Sequence, residues 1–272
     1  MIYRVFHPVP ALSDIVEHYW YSKIDLTASA LQQYATPLLQ GLVFNFKQQP
    51  EHHSYNGKTI TLDRSAYVFG QSLSPRVVNS NEKGVDIVGV KFKPLGITKL
   101  TGINMSCLAD KIVDAEDLWG NELKQLCDEM QSATMLEKTI NVLERFLLKK
   151  YLSTKLHYRI ENAHNALMLI NQHQGNIDIK SLQVQTNTSR KTLERAFMNY
   201  LGVPPKLYSR IVRFNAVKTI IDRSAFDGNL TKLALDFGFY DCSHFIAEFK
   251  NFSGSTPHNY LKTVPVNLVV KD

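Results

Sequence analysis

The stretch of sequence that decides the fold runs from residue 230 to residue 260 and reads LTKLALDFGFYDCSHFIAEFKNFSGSTPHNY. Its apolar residues recur at helical spacing, and Gly238 interrupts them. This pattern predicts a short helix over 230–237, a turn over 238–240 and a second helix over 241–252. Two short helices joined by a tight turn form a helix-turn-helix unit.

A similar unit is predicted about fifty residues earlier, with a short helix over 179–185 and a second helix that begins after Ser189 as its N-cap. A long helix over 205–224 connects the two units, and a proline in its first turn costs no hydrogen bond. Its apolar stripe can be shared by the cores on both sides and consists of Leu207, Ile211, Phe214, Val217 and Ile221. With a first helix over 158–174, seven helices are expected in this part of the chain.

This region resembles the AraC/XylS family of transcription regulators over roughly residues 158–262. The residues that carry the resemblance in the connector and second unit are Ile220-Ile221, Leu233-Ala234, Gly238-Phe239, Ser243-His244-Phe245, Phe249-Lys250, Gly254, Thr256-Pro257 and Tyr260. Those in the first unit are Ser189-Arg190-Lys191-Thr192-Leu193, Arg195, Phe197 and Gly202-Val203-Pro204. Two positions depart from the family pattern, because Val217 replaces a small residue and Leu261 replaces an arginine.

The resemblance implies that each monomer places two recognition helices in successive major-groove segments of double-stranded DNA, about 10 base pairs apart. The residues expected to face bases are Lys191, Glu194, Arg195, Cys242, Ser243, His244, Ile246 and Ala247. Arg195 can donate to a guanine and Glu194 can accept from a cytosine, so direct reading is expected mainly in the first unit.

The candidates for contacts to the DNA backbone are Ser189, Arg190, Arg210, Arg213, Lys218, Lys232 and Lys250, and each cation among them is equally explained as a simple surface charge. If about six phosphates are neutralised, the log-log dependence of binding on salt should have a slope near roughly −5. The charge distribution agrees with a polyanionic partner. Residues 1–150 contain 16 Lys and Arg and 16 Asp and Glu, whereas residues 151–272 contain 15 and 9, so the whole excess of +6 lies in the second part.

The first part of the chain predicts a different fold, because short apolar runs alternate with turn residues up to about Gly102. Strands are expected at 42–46, 59–62, 66–70 and 85–92, and Asn56-Gly57 is the best hairpin turn. Helices are expected over 114–130 and 134–152. The fold class is therefore α+β with two domains: a small cupin-like β-barrel or sandwich closed by two helices, then an all-α domain of seven helices. The boundaries expected are 1–153 for a sensing or dimerisation domain, 157–263 for a DNA-binding domain and 264–272 for a tail.

The first domain is expected to bind an effector or to dimerise, as the family resemblance implies. Its pocket candidates are Trp20, Tyr21, Tyr34, Phe44 and Phe46, although such aromatic residues more often form a core. The stripe Leu136, Ile140, Leu143, Leu147 and Tyr151 either packs on its own sheet or forms a subunit interface through 134–152. The expected partners are double-stranded DNA, RNA polymerase, a small-molecule effector and a second copy of the chain. An activator is the commoner outcome in the family.

Composition and motifs also bear on whether the protein is an enzyme, whether it binds a metal and where it is located. No phosphate-binding loop, nucleophile elbow, zinc-protease motif or dinucleotide fingerprint is present, so an enzyme is not expected. Three separated cysteines predict neither a disulfide framework nor a structural zinc site, and His52-His53 is explained as a solvated loop pair rather than as metal ligands. No metal, cofactor or catalytic residue is therefore assigned. The absence of a signal peptide pattern and of a long apolar stretch favours a cytoplasmic location.

Overall fold

The computed structural model describes residues 2–24, 30–34, 40–47, 50–55, 57–73, 75–80, 84–154, 160–222, 226 and 228–263. An antiparallel sheet domain comes first in the chain, and a helical domain follows it. The ten strands are β1 Ile2–Phe6, β2 Val16–Ile24, β3 Ala30–Tyr34, β4 Gly41–Asn45, β5 Glu51–Tyr55, β6 Lys58–Leu62, β7 Ala66–Phe69, β8 Arg76–Ser80, β9 Val85–Phe92 and β10 Ile112–Asp114.

The strands form two sheets in which all pairs of neighbours are antiparallel. The larger sheet has the order β1-β2-β9-β4-β7-β10, and the smaller has the order β3-β8-β5-β6. The sheets meet face to face where His53 of β5 lies edge-on to Tyr67 of β7, with 5.8 Å between the ring centroids. Tyr55 pairs with Lys58 across the predicted hairpin, whose Asn56 lies outside the described residues.

Helices cover the other face of the larger sheet. They are α1 Gly96–Thr101, α2 Glu116–Trp119, α3 Asn121–Ser132 and α4 Leu136–Ser153. The apolar stripe of α4 packs on its own domain, because Leu143 and Leu147 are fully buried in the same core as Phe44 and Val88. Of the two explanations for this stripe, the structure therefore supports core packing.

Three expectations for the first domain need correction. The strand region does not extend to Gly102, because Ile97 and Leu100 are buried at helical spacing in α1. The helix expected over 114–130 is broken at Gly120, whose φ of 52° is not helical, and its first residue belongs to β10. His52 and His53 lie in a strand rather than in a loop, and His53 is buried.

The helical domain contains α5 Ile160–Gln172, α6 Ile179–Gln185, α7 Arg190–Leu201, α8 Pro205–Asp222, α9 Leu230–Asp236, α10 Cys242–Ser253 and α11 Pro257–Thr263. These are the seven helices expected, counted over the described residues. None of the described helices has the length and hydropathy that crossing a membrane requires.

The connector helix α8 is shared by two cores, but through two different faces. Tyr208 and Val212 pack with α5, α6 and α7, whereas Ile211 and Phe214 pack with α9 and α10. The predicted stripe of α8 therefore serves the second core alone. The first core is reached by residues one position away, because 208 and 212 lie on a separate helical face.

Candidate nucleic-acid interface

The first helix-turn-helix unit consists of α6, the turn 186–188 and α7. Ser189 caps α7 as predicted, since its hydroxyl accepts a hydrogen bond from the Thr192 N–H at 3.2 Å. Leu193 and Phe197 are fully buried beneath α7. The opposite face of α7 is therefore available to a partner.

Lys191 and Arg195 are exposed on that outer face, and neither has a hydrogen-bond or ion-pair partner in the part of the chain that the structure describes. Glu194 lies between them in the sequence, but its carboxylate accepts a hydrogen bond from Arg190 Nε at 2.8 Å. The structure thus presents two unpaired cations on α7 and places the other two charged candidates in an ion pair.

The second unit consists of α9, the turn 237–240 and α10. Asp241 caps α10 by accepting a hydrogen bond from the His244 N–H at 2.7 Å. Phe245, Phe249 and Phe252 form the buried face, as predicted, and pack with Phe214 of α8. The side chains on the opposite face of α10 are therefore the ones available to a partner.

The five base-facing candidates of the second unit do not share one environment. Ser243, His244 and Ala247 are exposed, whereas Cys242 and Ile246 are half-buried and Ile246 packs against the core of the unit. The exposed N-terminal half of α10 is therefore small and polar, and the exposed cation of this helix is Lys250 in its last turn.

Glu248 is the feature of α10 that the sequence did not indicate. Its side chain is only 3% exposed, and its carboxylate lies 3.3 Å from Arg213 Nη2, 3.4 Å from Arg210 Nε and 3.3 Å from His244 Nε2. Arg213 also donates to the Gly238 carbonyl and stacks on Phe239, with 4.1 Å from its guanidinium carbon to the ring centroid. These contacts attach α10 and its turn to α8.

Several predicted backbone contacts are thus engaged within the protein. Arg213 and Arg210 pair with Glu248, and the Lys218 ammonium pairs with Asp222 at 2.6 Å beside the Tyr260 ring. Burial by itself lowers the pKa of Lys218, but hydrogen bonds with Asp222 and Tyr260 outweigh burial and raise the pKa. Lys232 and Lys250 remain exposed, without an ion-pair partner among the described residues.

The first unit also contacts the sheet domain. The Thr98 hydroxyl donates to the Tyr200 carbonyl at 2.8 Å, and Asn104 Nδ2 donates to Asn199 Oδ1 at 3.3 Å. Gly202, which ends α7 with φ of 76°, approaches the backbone so closely that an added Cβ would lie 2.7 Å from the Met105 carbonyl oxygen. The C-terminal end of the first recognition helix is therefore held by the other domain.

The aromatic pocket candidates lie on opposite sides of the larger sheet. Phe44 is fully buried under the helices, with Tyr21 and Phe46 packed on the same core. Trp20 faces the space between the two sheets and covers Gly89, where an added Cβ would lie 2.1 Å from the indole ring. The side chain of Tyr34 lies outside the described residues. Adjacent strand residues point to opposite faces, so the four described aromatics do not surround one cavity.

Comparison with known proteins gives two family matches. Residues 183–263 match a model described as a helix-turn-helix domain, and residues 4–114 match a domain of unknown function. Uncharacterized HTH-type transcriptional regulators of Staphylococcus aureus strains MSSA476 and N315 are each 23% identical over 247 residues, which cover 82% of this chain and 31% of each relative. The chain thus spans about a third of the length of the curated relatives it matches.

Solved structures of similar topology include ToxT of Vibrio cholerae bound to an unsaturated fatty acid, which is 13% identical with a TM-score of 0.47 and covers 100% of this chain and 97% of that one. An AraC-type DNA-binding protein from Chromobacterium violaceum is 22% identical with a TM-score of 0.35 and covers 38% of this chain and 90% of that one.

The repeated helix-turn-helix unit and the family match define a DNA-binding protein of the helix-turn-helix class. Within this class, the C-terminal domain is similar to those of HTH-type transcriptional regulators and to an AraC-type DNA-binding domain.

Proposed function

We propose that this chain is a transcription regulator that binds an asymmetric DNA site through α7 and α10, each in its own major-groove segment. The observation that carries the proposal is the repetition of one helix-turn-helix unit on the two faces of α8. The two recognition helices have equal length, with 12 residues each, and each ends at a left-handed glycine, Gly202 and Gly254. A rigid connector of this kind gives the two halves of the site a constant separation, about 10 base pairs.

The two halves are read by different chemistry. Lys191 and Arg195 present unpaired cationic donors on α7, which suit the O6 and N7 acceptors of guanine. Ser243 and Ala247 on α10 offer one hydroxyl and one methyl group, which distinguish fewer of the four bases. Most of the base specificity therefore comes from the first unit, where Glu194 reaches a base only when its pair with Arg190 opens.

The salt dependence of binding follows from the cations that the fold leaves unpaired. Arg210, Arg213 and Lys218 are engaged with carboxylates, whereas Lys191, Arg195, Lys232 and Lys250 have no ion-pair partner among the described residues. Four cationic side chains brought to the DNA, whether at phosphates or at base edges, release about four counterions, which corresponds to a log-log slope of about −4 rather than −5. A titration between roughly 50 and 200 mM salt measures it, and a slope near −1 would contradict binding by these four side chains.

The sheet domain, which we place at 1–153, controls the DNA-binding domain at 157–263 by binding an effector or a second copy. The support is its contact with α7 through Thr98 and Met105. Because ToxT has been solved with an unsaturated fatty acid bound, an apolar carboxylate is the first effector to test. Binding to the folded state raises the melting temperature, so a shift at about 100 times the dissociation constant identifies a ligand.

Two further partners belong to this proposal. Activation of transcription implies contact with RNA polymerase, and a reporter gene fused to a captured promoter tests the direction of regulation. A homodimer through 134–152 would use the outward face of α4, which presents Lys138, Asn141 and Arg145 beside Glu129 of α3. Sedimentation of Lys138→Glu against the wild-type chain tests this interface.

The decisive experiment captures genomic fragments with the purified chain at near-physiological salt. The variant Lys191→Ala/Arg195→Ala is compared with Lys58→Ala, which removes an exposed lysine of β6 in the sheet domain. We expect a motif of two parts with a constant spacing, one part of which is lost in the double variant and retained in the control. Equal enrichment by all three proteins would contradict reading by α7, and absence of enrichment in the presence of candidate effectors would contradict the function.

A further inference from the structure

The two helix-turn-helix units differ by one inserted residue in the turn. Up to the middle of the turn, equivalent residues of the two units lie 51 positions apart in the sequence. In the first unit the Thr188 N–H donates to the Gln183 carbonyl, and in the second the Phe239 N–H donates to the Ala234 carbonyl. From the N-cap onward the separation is 52, because Ser189 corresponds to Asp241. The additional residue is Tyr240.

Tyr240 is 89% exposed, which is the highest value among the exposed large apolar side chains of the described residues. An apolar residue just before an N-cap often packs on the fourth residue of the helix and stabilises the helix entry. In the second unit Phe239 already does so, since its ring lies 5.1 Å from that of Phe245 and is buried. Tyr240 therefore has no comparable packing role in the turn.

The position of Tyr240 places it beside the end of α10 that enters the groove. It precedes the cap Asp241 directly, and the N-terminal residues of a recognition helix are those that approach base edges. A tyrosine can pack its ring on deoxyribose and donate its hydroxyl to a phosphate oxygen. Near this end of α10 the cations are engaged within the protein, because Arg210 and Arg213 of α8 pair with Glu248, and the exposed Lys250 lies in the last turn at the other end of the helix.

We propose that Tyr240 is a DNA-contacting residue of the second unit, which binds the sugar-phosphate backbone at the edge of the groove entered by α10. This proposal rests on the proposed function and adds a contact that the first unit lacks. It gives the second unit affinity without base specificity, since backbone contacts position a protein but do not read sequence.

The test measures binding of the wild-type chain, Tyr240→Ala, Tyr240→Phe and Met168→Ala to a captured DNA fragment. Met168 is 56% exposed on α5 and serves as the control for loss of an exposed apolar side chain. We expect Tyr240→Ala to bind at least about tenfold more weakly on every fragment, with weaker protection of the half-site bound by α10. Tyr240→Phe should lose most of that factor if the hydroxyl donates to a phosphate. The melting temperatures of all variants should agree, because Tyr240 is exposed.

Binding by Tyr240→Ala within twofold of Met168→Ala would overturn the proposal. Retained affinity in Tyr240→Phe would overturn the hydroxyl–phosphate bond. Failure of every protein to bind DNA, the wild-type chain included, would instead contradict the proposed function.

Discussion

Glu248 lies against three side chains that were expected to face DNA, those of Arg210, Arg213 and His244. Its carboxylate is buried, and Arg213 beside it is only 13% exposed. Each of these two groups therefore contacts the other in place of water. Pairing of this kind is costly to disrupt on one side, because the remaining charge stays buried without its partner. Glu248 therefore attaches α10 to α8.

Replacement of Glu248 by glutamine should lower the free energy of unfolding by about 3 kcal/mol, since it leaves Arg213 buried beside a neutral group. Urea denaturation measures this change. The matched control is Glu194→Gln in α7, whose carboxylate pairs with Arg190 at an exposed site, and its effect should be below about 1 kcal/mol. Equal effects of the two substitutions would contradict a structural role for the buried pair.

Local signals at the residue scale were sufficient to predict the N-cap of α7. Ser189 lies immediately before an apolar-periodic segment, and its hydroxyl caps α7 in the structure. The ion pairs of Arg210 and Arg213 could not be predicted, because their partner lies 38 and 35 positions further along the chain and nothing in its sequence neighbourhood marks it.

At the scale of elements, α3 and α4 are joined by a second charged group. Glu122 of α3 accepts hydrogen bonds from Lys150 and Lys149 of α4, which lower its pKa to about 2. A carboxylate with a lowered pKa in the folded state stabilises the protein above its unfolded pKa, near 4.5, and this contribution is lost as the pH falls through the folded pKa.

We therefore expect the melting temperature of wild-type protein to exceed that of Glu122→Gln at pH 7, and the difference to disappear between about pH 4.5 and pH 2. Calorimetry over this range measures it. Glu129→Gln is the control on the same two helices, because Glu129 lies 3.9 Å from Arg145 with both side chains exposed, and its difference should be small at every pH. A difference for Glu122→Gln that persists at pH 2 would show that the ion pair is not its cause.

Helices were predicted more accurately than strands. The bounds of α7 and α10 differ from expectation by a residue or two, since caps and glycines mark helix ends locally. The strand β2 was not predicted. Tyr19 packs under the helices and Trp20 between the sheets, so both faces of β2 are apolar and the alternation that reveals a strand is absent.

At the scale of the whole molecule, the contact between the domains depends on the backbone at Gly202. Its left-handed φ and its approach to Met105 together exclude a side chain. Gly228 is the natural control, because it also has a left-handed φ, of 81°, but an added Cβ there meets nothing within 4 Å.

Gly228→Ala should destabilise the protein by about 1–2 kcal/mol through backbone conformation alone. Gly202→Ala should cost more than this, because the methyl group also forces α7 and the Met105 backbone apart. Thermal unfolding measures both changes. Equal melting temperatures for the two variants would contradict a close contact between the domains.

Local sequence was enough to predict the paired helix-turn-helix units, the N-cap of α7, the antiparallel character of the first domain and the outward face of α7 with Lys191 and Arg195. These properties depend on residues within a few positions of one another, through helical or strand periodicity and local hydrogen bonds. Three-dimensional packing alone revealed that Arg210, Arg213 and His244 converge on Glu248, that Trp20 and Phe44 lie on opposite faces, and that α7 is held at Thr98 and Met105. Most of these contacts join residues far apart in the chain, so packing geometry rather than residue type selects each partner.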